Sequence, residues 1–381
     1  MTRNFDLVVV GSGAAGLSAA YPCRQAGWSV AVVDSRPFGG TCANRGCDPK
    51  KVLVAGAEAV DWTRRMSGLG VRSTDTRIEW PELMRFKSTF TDPVPQSRVE
   101  ALQRAGIEVF HGVAQFTGED TLEIEDEPIT AKHIVLATGA TPAPLDMPGE
   151  ELLLTSDLFL ELTELPEKIA FVGGGYIAFE FAHLAARAGA KVIILHRGKQ
   201  PLTHFDPMLV DMLLEHTRNL GIEVRLGVEV DGLKGMVGQL RLIAGAEMVE
   251  VNAAVHAAGR IPNVESLIPR KGNVAYSERG VTVNDYLQST TNPRVYAAGD
   301  AVASGPPLTP VAGYHGRIVA DNLLNGNRQK ADYTGCPSVA FTLPPIASVG
   351  LSERAATEQG LQFDVKSGQT SSWFSSRRIA E

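Results

Sequence analysis

Apolar and polar positions follow two rhythms along this chain, and glycines mark the changes. Residues 5–10 are almost wholly apolar, the pattern of a parallel strand buried on both faces. A glycine turn follows, then helical spacing over residues 14–25 stopped by Gly27, then a second apolar run at 28–33. The same order returns at residues 168–172, 173–175, 176–188 and 191–195, with Gly189 as the helix stop. Two βαβ units of one design predict an α/β fold with two Rossmann-like domains.

Between the two units, residues 48–67 and 81–105 read as helices and 108–125 as short strands. Residues 134–139 form another apolar run ending in glycine, and the prolines of 141–148 mark a linker. The second domain closes in a strand-rich stretch at 222–258. Strands at 281–283 and 295–298 and a helix over 315–324 then return the chain to the first domain. A new unit begins at Cys336, with a strand at 338–342 and a helix at 353–359. The expected domains are therefore 1–148 with 269–335, then 149–268, then 336–381 as the opening of a third, α+β unit.

The glycine turns carry the first chemistry. Gly11-Ser12-Gly13-Ala14-Ala15-Gly16 lies between a strand and a helix, where free N–H groups and the helix dipole favour a pyrophosphate. Gly11 permits the turn, Gly13 lets the backbone approach the phosphates, and Gly16 lets helix and strand pack closely. Asp34, 23 residues after Gly11, is the acidic ribose ligand this pattern expects. Gly173-Gly174-Gly175-Tyr176-Ile177-Ala178 is the second fingerprint, and the residue 23 places after Gly173 is His196, followed by Arg197 and Lys199. A carboxylate there would repel a 2′-phosphate, whereas a guanidinium pairs with one. The reading is FAD at the first turn and NADPH at the second. The plainer alternative leaves Arg197 a solvated surface cation.

Composition narrows the field. Net charge is −7 with no basic run, which argues against nucleic acid or an anionic membrane as partner. The N-terminus runs straight into a strand and leaves no room for a signal peptide, so a cytoplasmic protein is expected. Four cysteines in 381 residues do not make a secreted disulfide scaffold.

Two of those cysteines stand in Gly39-Gly40-Thr41-Cys42-Ala43-Asn44-Arg45-Gly46-Cys47-Asp48-Pro49-Lys50. Five residues of regular helix rise about 7.5 Å, beyond the usual Cα separation of roughly 4.4–6.8 Å for a disulfide. If the two bond, the segment is distorted, and Gly46 supplies the freedom. A helix start nearby lowers thiol pKa values and predicts a reactive thiolate. A metal site needs further ligands that are not near in sequence; two unrelated cysteines are the other alternative. Cys23, within a packed helix, and Cys336, in a connection, read as inert.

The segment GGTCANRGCDPKK resembles the active segment of the flavoprotein pyridine nucleotide–disulfide reductases, the group of glutathione reductase, dihydrolipoamide dehydrogenase and mercuric reductase. Ala137-Thr138-Gly139, Gly259-Arg260-Ile261-Pro262-Asn263, Ala297-Ala298-Gly299-Asp300 and Leu308-Thr309-Pro310-Val311-Ala312 resemble further elements of that family, in its order. The resemblance implies a Cys42–Cys47 redox disulfide, with Cys47 nearest the flavin and Cys42 attacking substrate. It implies Lys50 near flavin N5, paired with Glu180, and Tyr176 over the nicotinamide pocket. It further implies FAD contacts from Gly40, Thr41, Lys51, Ala114, Thr138, Gly139, Gly299, Asp300, Leu308 and Thr309, and nucleotide contacts from Gly175, Ile177, His196, Arg197, Gly259 and Arg260. For Lys50 and Glu180 the alternative is two solvent-facing helix charges.

The sequence departs from the family pattern in two places. None of the eight histidines lies beyond His315, so the catalytic His–Glu pair that the family supplies from a partner subunit's interface domain has no counterpart here. The expectation is a chain that stops before that pair, with an unpaired interface strand at its end, and a homodimer in the full-length form. At the 2′-phosphate site Thr203 stands where relatives often carry a second arginine. The reading is an NADPH-dependent, FAD-containing reductase of a small-molecule disulfide, most like glutathione reductase. The alternatives are a dihydrolipoamide dehydrogenase-like or mercuric reductase-like enzyme, an NADPH–dye or quinone reductase, and a non-catalytic flavin-binding protein.

Overall fold

The structure is a computed structural model and describes residues 3–381. The chain forms two compact units. The first takes the residues up to Asp48, Thr89–Ala143 and Arg260–Tyr333; the second takes Pro49–Ser88, Pro144–Gly259 and Thr334–Glu381. Residues 49–88 thus group with the second unit, not with the 1–148 segment.

In the first unit, Glu108–His111, Val30–Asp34, Arg3–Val10 and Glu127–Leu136 pair in parallel, in that spatial order. The ten-residue strand Glu127–Leu136 serves two partners along its far edge. Its start pairs antiparallel with Thr121–Ile124, and its end pairs parallel with Val295–Ala297. Leu7, Val8 and Val9 are fully buried, as an unbroken apolar run in a two-sided sheet requires. The Ala14–Gln25 helix has the bounds its spacing predicts. The expected helix over 81–105 is instead two, Trp80–Thr91 and Val94–Arg104, because Pro93 and Pro95 lack the N–H groups that would carry one helix through. The helix expected at 315–324 starts earlier, at Thr309, and runs to Asn325; Pro310 sits in its first turn, where a missing N–H costs nothing.

In the second unit, Glu223–Leu226, Lys191–His196, Lys168–Val172 and Ala253–His256 form a parallel sheet. Its residues alternate between two cores. Ile169, Phe171, Val192 and Ile194 face a helical layer with Phe179 and Ala182, while Ala170, Val172, Ile193 and Leu195 face Leu233, Leu242 and Val249 of an antiparallel meander. The helical core also takes Leu53, Val54 and Ala57 from the Cys47–Arg65 helix, and Ala340, Leu343 and Ile346 from the C-terminal segment. That shared burial, roughly 1.5–3 kcal/mol for each fully buried large side chain, explains why 49–88 belongs here. The strand near residue 338 is not unpaired: Pro337–Ala340 forms an antiparallel hairpin with Ile346–Val349.

Candidate active site

In the first unit the glycine turn and the sulfur segment are joined through one hydroxyl. Asp34 Oδ2 accepts from Ser12 N–H (2.8 Å) and from Ser12 Oγ–H (2.6 Å). Ser12 Oγ in turn accepts from Gly39 N–H at 2.9 Å. Gly39 caps the short Gly40–Arg45 helix that carries Thr41 and Cys42. Asp34 therefore closes the turn itself; its other oxygen accepts from Arg36 N–H at 3.0 Å, and a carboxylate oxygen has capacity for a further donor.

Gly46 breaks the segment in two, with Gly40–Arg45 before it and Cys47–Arg65 after it. The distortion that a bond between Cys42 and Cys47 demands is thus present. Both residues are partly buried free cysteines, not a disulfide, and their side chains interact directly. Cys47 Sγ lies 3.3 Å from Thr309 Oγ1. The Cys42 thiol is pushed up, first by its hydrogen bond with Cys47, then by burial, with Asp48 adding repulsion at 3.9 Å. A helix start alone lowers a thiol; at Cys42 the neighbouring sulfur and burial outweigh it. The push keeps the proton on Cys42; Cys47 is the first residue of its helix.

The other expected first-unit residues gather on the same loops. Thr138 Oγ1 is buried without a hydrogen-bond partner among the described residues. Gly139 O accepts from Asn263 N–H, and Arg260 donates to Ala140 O, pairing Ala140–Pro142 with Arg260–Pro262. Burial raises the Asp300 carboxyl above its usual range, partly offset by Arg260. Leu308 and Thr309 are the cap and first residue of the Thr309–Asn325 helix. His315 is not a helix-start residue. It is buried in mid-helix, where its Nδ1 accepts from Gly299 N–H (3.2 Å) and its Nε2–H faces Tyr333 Oη (2.8 Å). Ala114 lies in the core strand Ala114–Phe116. Cys23 is fully buried, and burial pushes its thiol up to about 12, which fits an inert role.

The second unit repeats the turn with a different finish. His196 Nε2–H donates to Gln200 O at 3.1 Å, and its ring lies against Gly174, where a Cβ would stand 2.5 Å from His196 Cγ. His196 is therefore tied to its own turn, while Arg197, Lys199 and Thr203 are exposed. Tyr176 opens the Tyr176–Arg187 helix and is 48% exposed; Ile177 follows it. Gly259 is exposed at the far end of this unit. Lys50 and Glu180 are not solvent-facing. Lys50 Nζ lies 2.8 Å from both Glu180 oxygens, and both side chains are buried. Lys51 is exposed, with its Nζ 4.9 Å from the centre of the Phe341 ring.

Sequence reasoning missed the residues around that pair. Glu180 Oε1 also accepts from Phe341 N–H, and Arg187 pairs with Asp61 at 2.8 Å. The available signal was three polar residues, Glu180, His183 and Arg187, at helical spacing in an otherwise apolar helix.

Residues 5–316 match the protein family described as pyridine nucleotide-disulphide oxidoreductase. The chain belongs to this family. It is 34% identical over 357 residues to a glutathione reductase of Burkholderia cepacia, covering 93% of this chain and 79% of that one. It is 33% identical to a mercuric reductase of Staphylococcus aureus, covering 95% and 67%. Among solved structures it resembles the HOCl-induced flavoprotein disulfide reductase RclA of Escherichia coli, crystallised as a Cu(II) complex, with a TM-score of 0.84, 29% identity, and coverage of 94% and 80%. Members of the family are oxidoreductases that use FAD and NAD(P)H.

The residues present fit those groups. Gly11 and Gly173 have φ of +110° and +129°, and a Cβ on either would overlap a carbonyl oxygen, of Ala137 and Ala257 respectively. Gly13 and Gly175 are different: a Cβ there would meet nothing closer than 3.7 and 3.9 Å. The protein does not need glycine at those two places, but a pyrophosphate approaching the backbone does. The unpartnered Thr138 hydroxyl and the desolvated Asp300 carboxyl are polar groups awaiting a ligand. Among the described residues no cluster could hold a metal ion, and no helix is long and apolar enough to cross a membrane.

Proposed function

We propose that the chain reduces a small-molecule disulfide with electrons from NADPH, using Cys42 and Cys47 as its redox pair. The observation that carries this reading is the meeting of the two sulfurs across the Gly46 break, in the unit whose first fingerprint fits FAD. Bound FAD would accept hydride from NADPH and pass an electron pair to the sulfurs. Gly13, Thr138 and Asp300 would hold FAD, and Gly175 and Arg197 would hold NADPH.

The remaining steps belong to the chain's own residues. In the reduced pair the Thr309 hydroxyl and the Cys42 S–H stabilise a Cys47 thiolate by hydrogen bonding. Cys42 gives up its proton and attacks one substrate sulfur. The substrate S–S bond breaks, one thiol departs with a proton, and a mixed disulfide remains on Cys42. The Cys47 thiolate then attacks the Cys42 sulfur, the Cys42–Cys47 bond forms, and the second substrate sulfur departs as a thiolate that takes its proton from solvent. Lys50 lies one helical turn beyond Cys47. Its ammonium, paired with Glu180, is the cation we assign to the reduced flavin.

For substrate, a glutathione-like disulfide is our first choice, with dihydrolipoamide dehydrogenase-like and mercuric reductase-like activities as the alternatives; identities of 34%, 33% and 33% do not rank them. Homodimerisation follows the family's habit. Anaerobic titration with NADPH tests the core reading: two electrons should produce thiolate-to-flavin charge-transfer absorbance, and Cys47→Ser should remove it. Cys47→Ser should also cut disulfide turnover by about 10³-fold or more while sparing dye reduction. A wild-type protein that takes up FAD but shows no such band would exclude the sulfur–flavin pathway.

A further inference from the structure

The Tyr176–Arg187 helix presents Glu180, His183 and Arg187 on one face, at spacings of three and four, and they are 2%, 1% and 4% exposed. All three bind the backbone of one short stretch. Phe341 N–H donates to Glu180 Oε1 at 2.7 Å, Leu343 N–H to His183 Nδ1 at 3.1 Å, and Arg187 Nη2 donates to Leu343 O at 2.9 Å. The Cys47–Arg65 helix reaches the same ladder at two points: Lys50 on Glu180 and Asp61 on Arg187. With its backbone fixed in this way, Phe341 sets its ring 4.4 Å from Lys50 Nζ and 4.9 Å from Lys51 Nζ.

We propose that Phe341 is a positioning residue for Lys50: its backbone steadies the carboxylate and its ring holds the ammonium. Glu180 alone fixes one side of the cation. An ammonium on a flexible four-carbon stem can pivot about a carboxylate and hydrate. The negative face of the ring attracts the ammonium from a second direction and excludes water, where a cation–aromatic contact is strongest. The Phe341 N–H withdraws charge from the Glu180 oxygen it binds. It thereby fixes the carboxylate's orientation without adding a second cation. The C-terminal segment thus takes part in the reductive half of the reaction, through Lys50 and not by touching a reactant.

This inference rests on the reading of Lys50 as the cation facing the flavin, and the experiment separates the two. Four full-length variants are compared with wild type: Phe341→Leu, Phe341→Tyr, Lys50→Met, and a pentafluorinated phenylalanine ring at position 341. The readouts are the Lys50 ε-proton shifts by NMR and the two-electron potential of the bound flavin. In wild type the ε-protons should be shifted upfield by the ring current. Phe341→Leu should abolish that shift and destabilise the reduced flavin about tenfold, a potential ~30 mV more negative. The fluorinated ring should lower the potential similarly, and Phe341→Tyr should restore it. If Phe341→Leu fails to fold, the fluorinated ring, close to the native shape, carries the comparison alone. Wild-type potential in both the leucine and fluorinated variants, or equal defects in the tyrosine and leucine variants, would overturn the role of Phe341. No change of potential in Lys50→Met would instead remove the reading of Lys50 and the inference with it.

Discussion

At the turn that begins with Gly11, the strand after the helix ends in Asp34; at the turn that begins with Gly173, it ends in His196. Both turns take a positive φ at their first glycine, and both leave open space at their third position. The difference lies in what the strand end holds. Asp34 reaches back to Ser12, and through Ser12 to Gly39, so the first turn is linked to the segment carrying Cys42. His196 reaches forward to Gln200 and its ring lies against Gly174, so this side chain stays within its own turn, and Arg197 is exposed. One backbone plan thus yields a turn tied to the cysteine segment and a turn with an exposed cation at its strand end. Repetition of the βαβ unit supplies the cradle; the strand-end residue decides its use.

Each unit also holds a backbone N–H on a buried, neutral histidine, and the two together give the largest expected effect. In the first unit His315 Nδ1 accepts from Gly299 N–H, and burial lowers its pKa to about 4. In the second, His183 Nδ1 accepts from Leu343 N–H; burial, then Arg187 and His216, lower its pKa to about 3. Thr217 donates its own hydrogen to Leu213 O, so His183 Nε2 must be the donor to Thr217 and Nδ1 the acceptor. Both folded-state values lie below the ordinary 6.5, so as pH falls the unfolded chain takes up a proton that the folded chain refuses. Stability therefore falls with pH below about 6.5. Each histidine should cost about 2 kcal/mol by pH 5. The loss should level off near pH 4 for His315 and near pH 3 for His183. Urea unfolding between pH 7.5 and 5 checks this. A flat profile, or one that survives replacement of both histidines by glutamine, would show that they are not the acid-labile groups.

Glycine at the first position of each turn is expected to matter next most. Gly11→Ala and Gly173→Ala force a Cβ into both a left-handed conformation and a carbonyl oxygen, and each should cost about 2–4 kcal/mol. The comparison sharpens because the ligand losses should differ: FAD retention should fail in the first variant and NADPH binding in the second. Isothermal titration of each cofactor against each variant measures this. Loss of both cofactors from either variant would mean that the turns are not independent.

The smallest effect concerns the strand ends themselves. Arg197→Ala should lower the NADPH-to-NADH ratio of kcat/KM by about tenfold, since an exposed guanidinium–phosphate pair is worth little more. Stopped-flow reduction of the flavin by the two nucleotides gives the ratio, and an unchanged ratio would return Arg197 to the role of a solvated surface charge.

Several features were legible along the chain because they depend on neighbours in sequence. The apolar runs at 5–10 and 168–172, the Ala14–Gln25 helix between its glycines, and the need for a break between Cys42 and Cys47 all follow from backbone geometry over a few residues. The family was legible for the same reason, since its elements are short local motifs in a fixed order. What the tertiary structure decided were relations between residues far apart in sequence. The pairing of Lys50 with Glu180, 130 residues away, had solvent exposure as its alternative until burial and a two-oxygen contact appeared. The grouping of 49–88 with the second unit depended on a core that Leu53 and Leu343 share. The upward push on the Cys42 thiol reversed what the helix start alone implied, because a neighbouring sulfur outweighs a partial charge. Sequence fixes conformations that short-range sterics control; burial and charge, which set pKa values and hold the buried ion pair, arise only once distant segments enclose the same space.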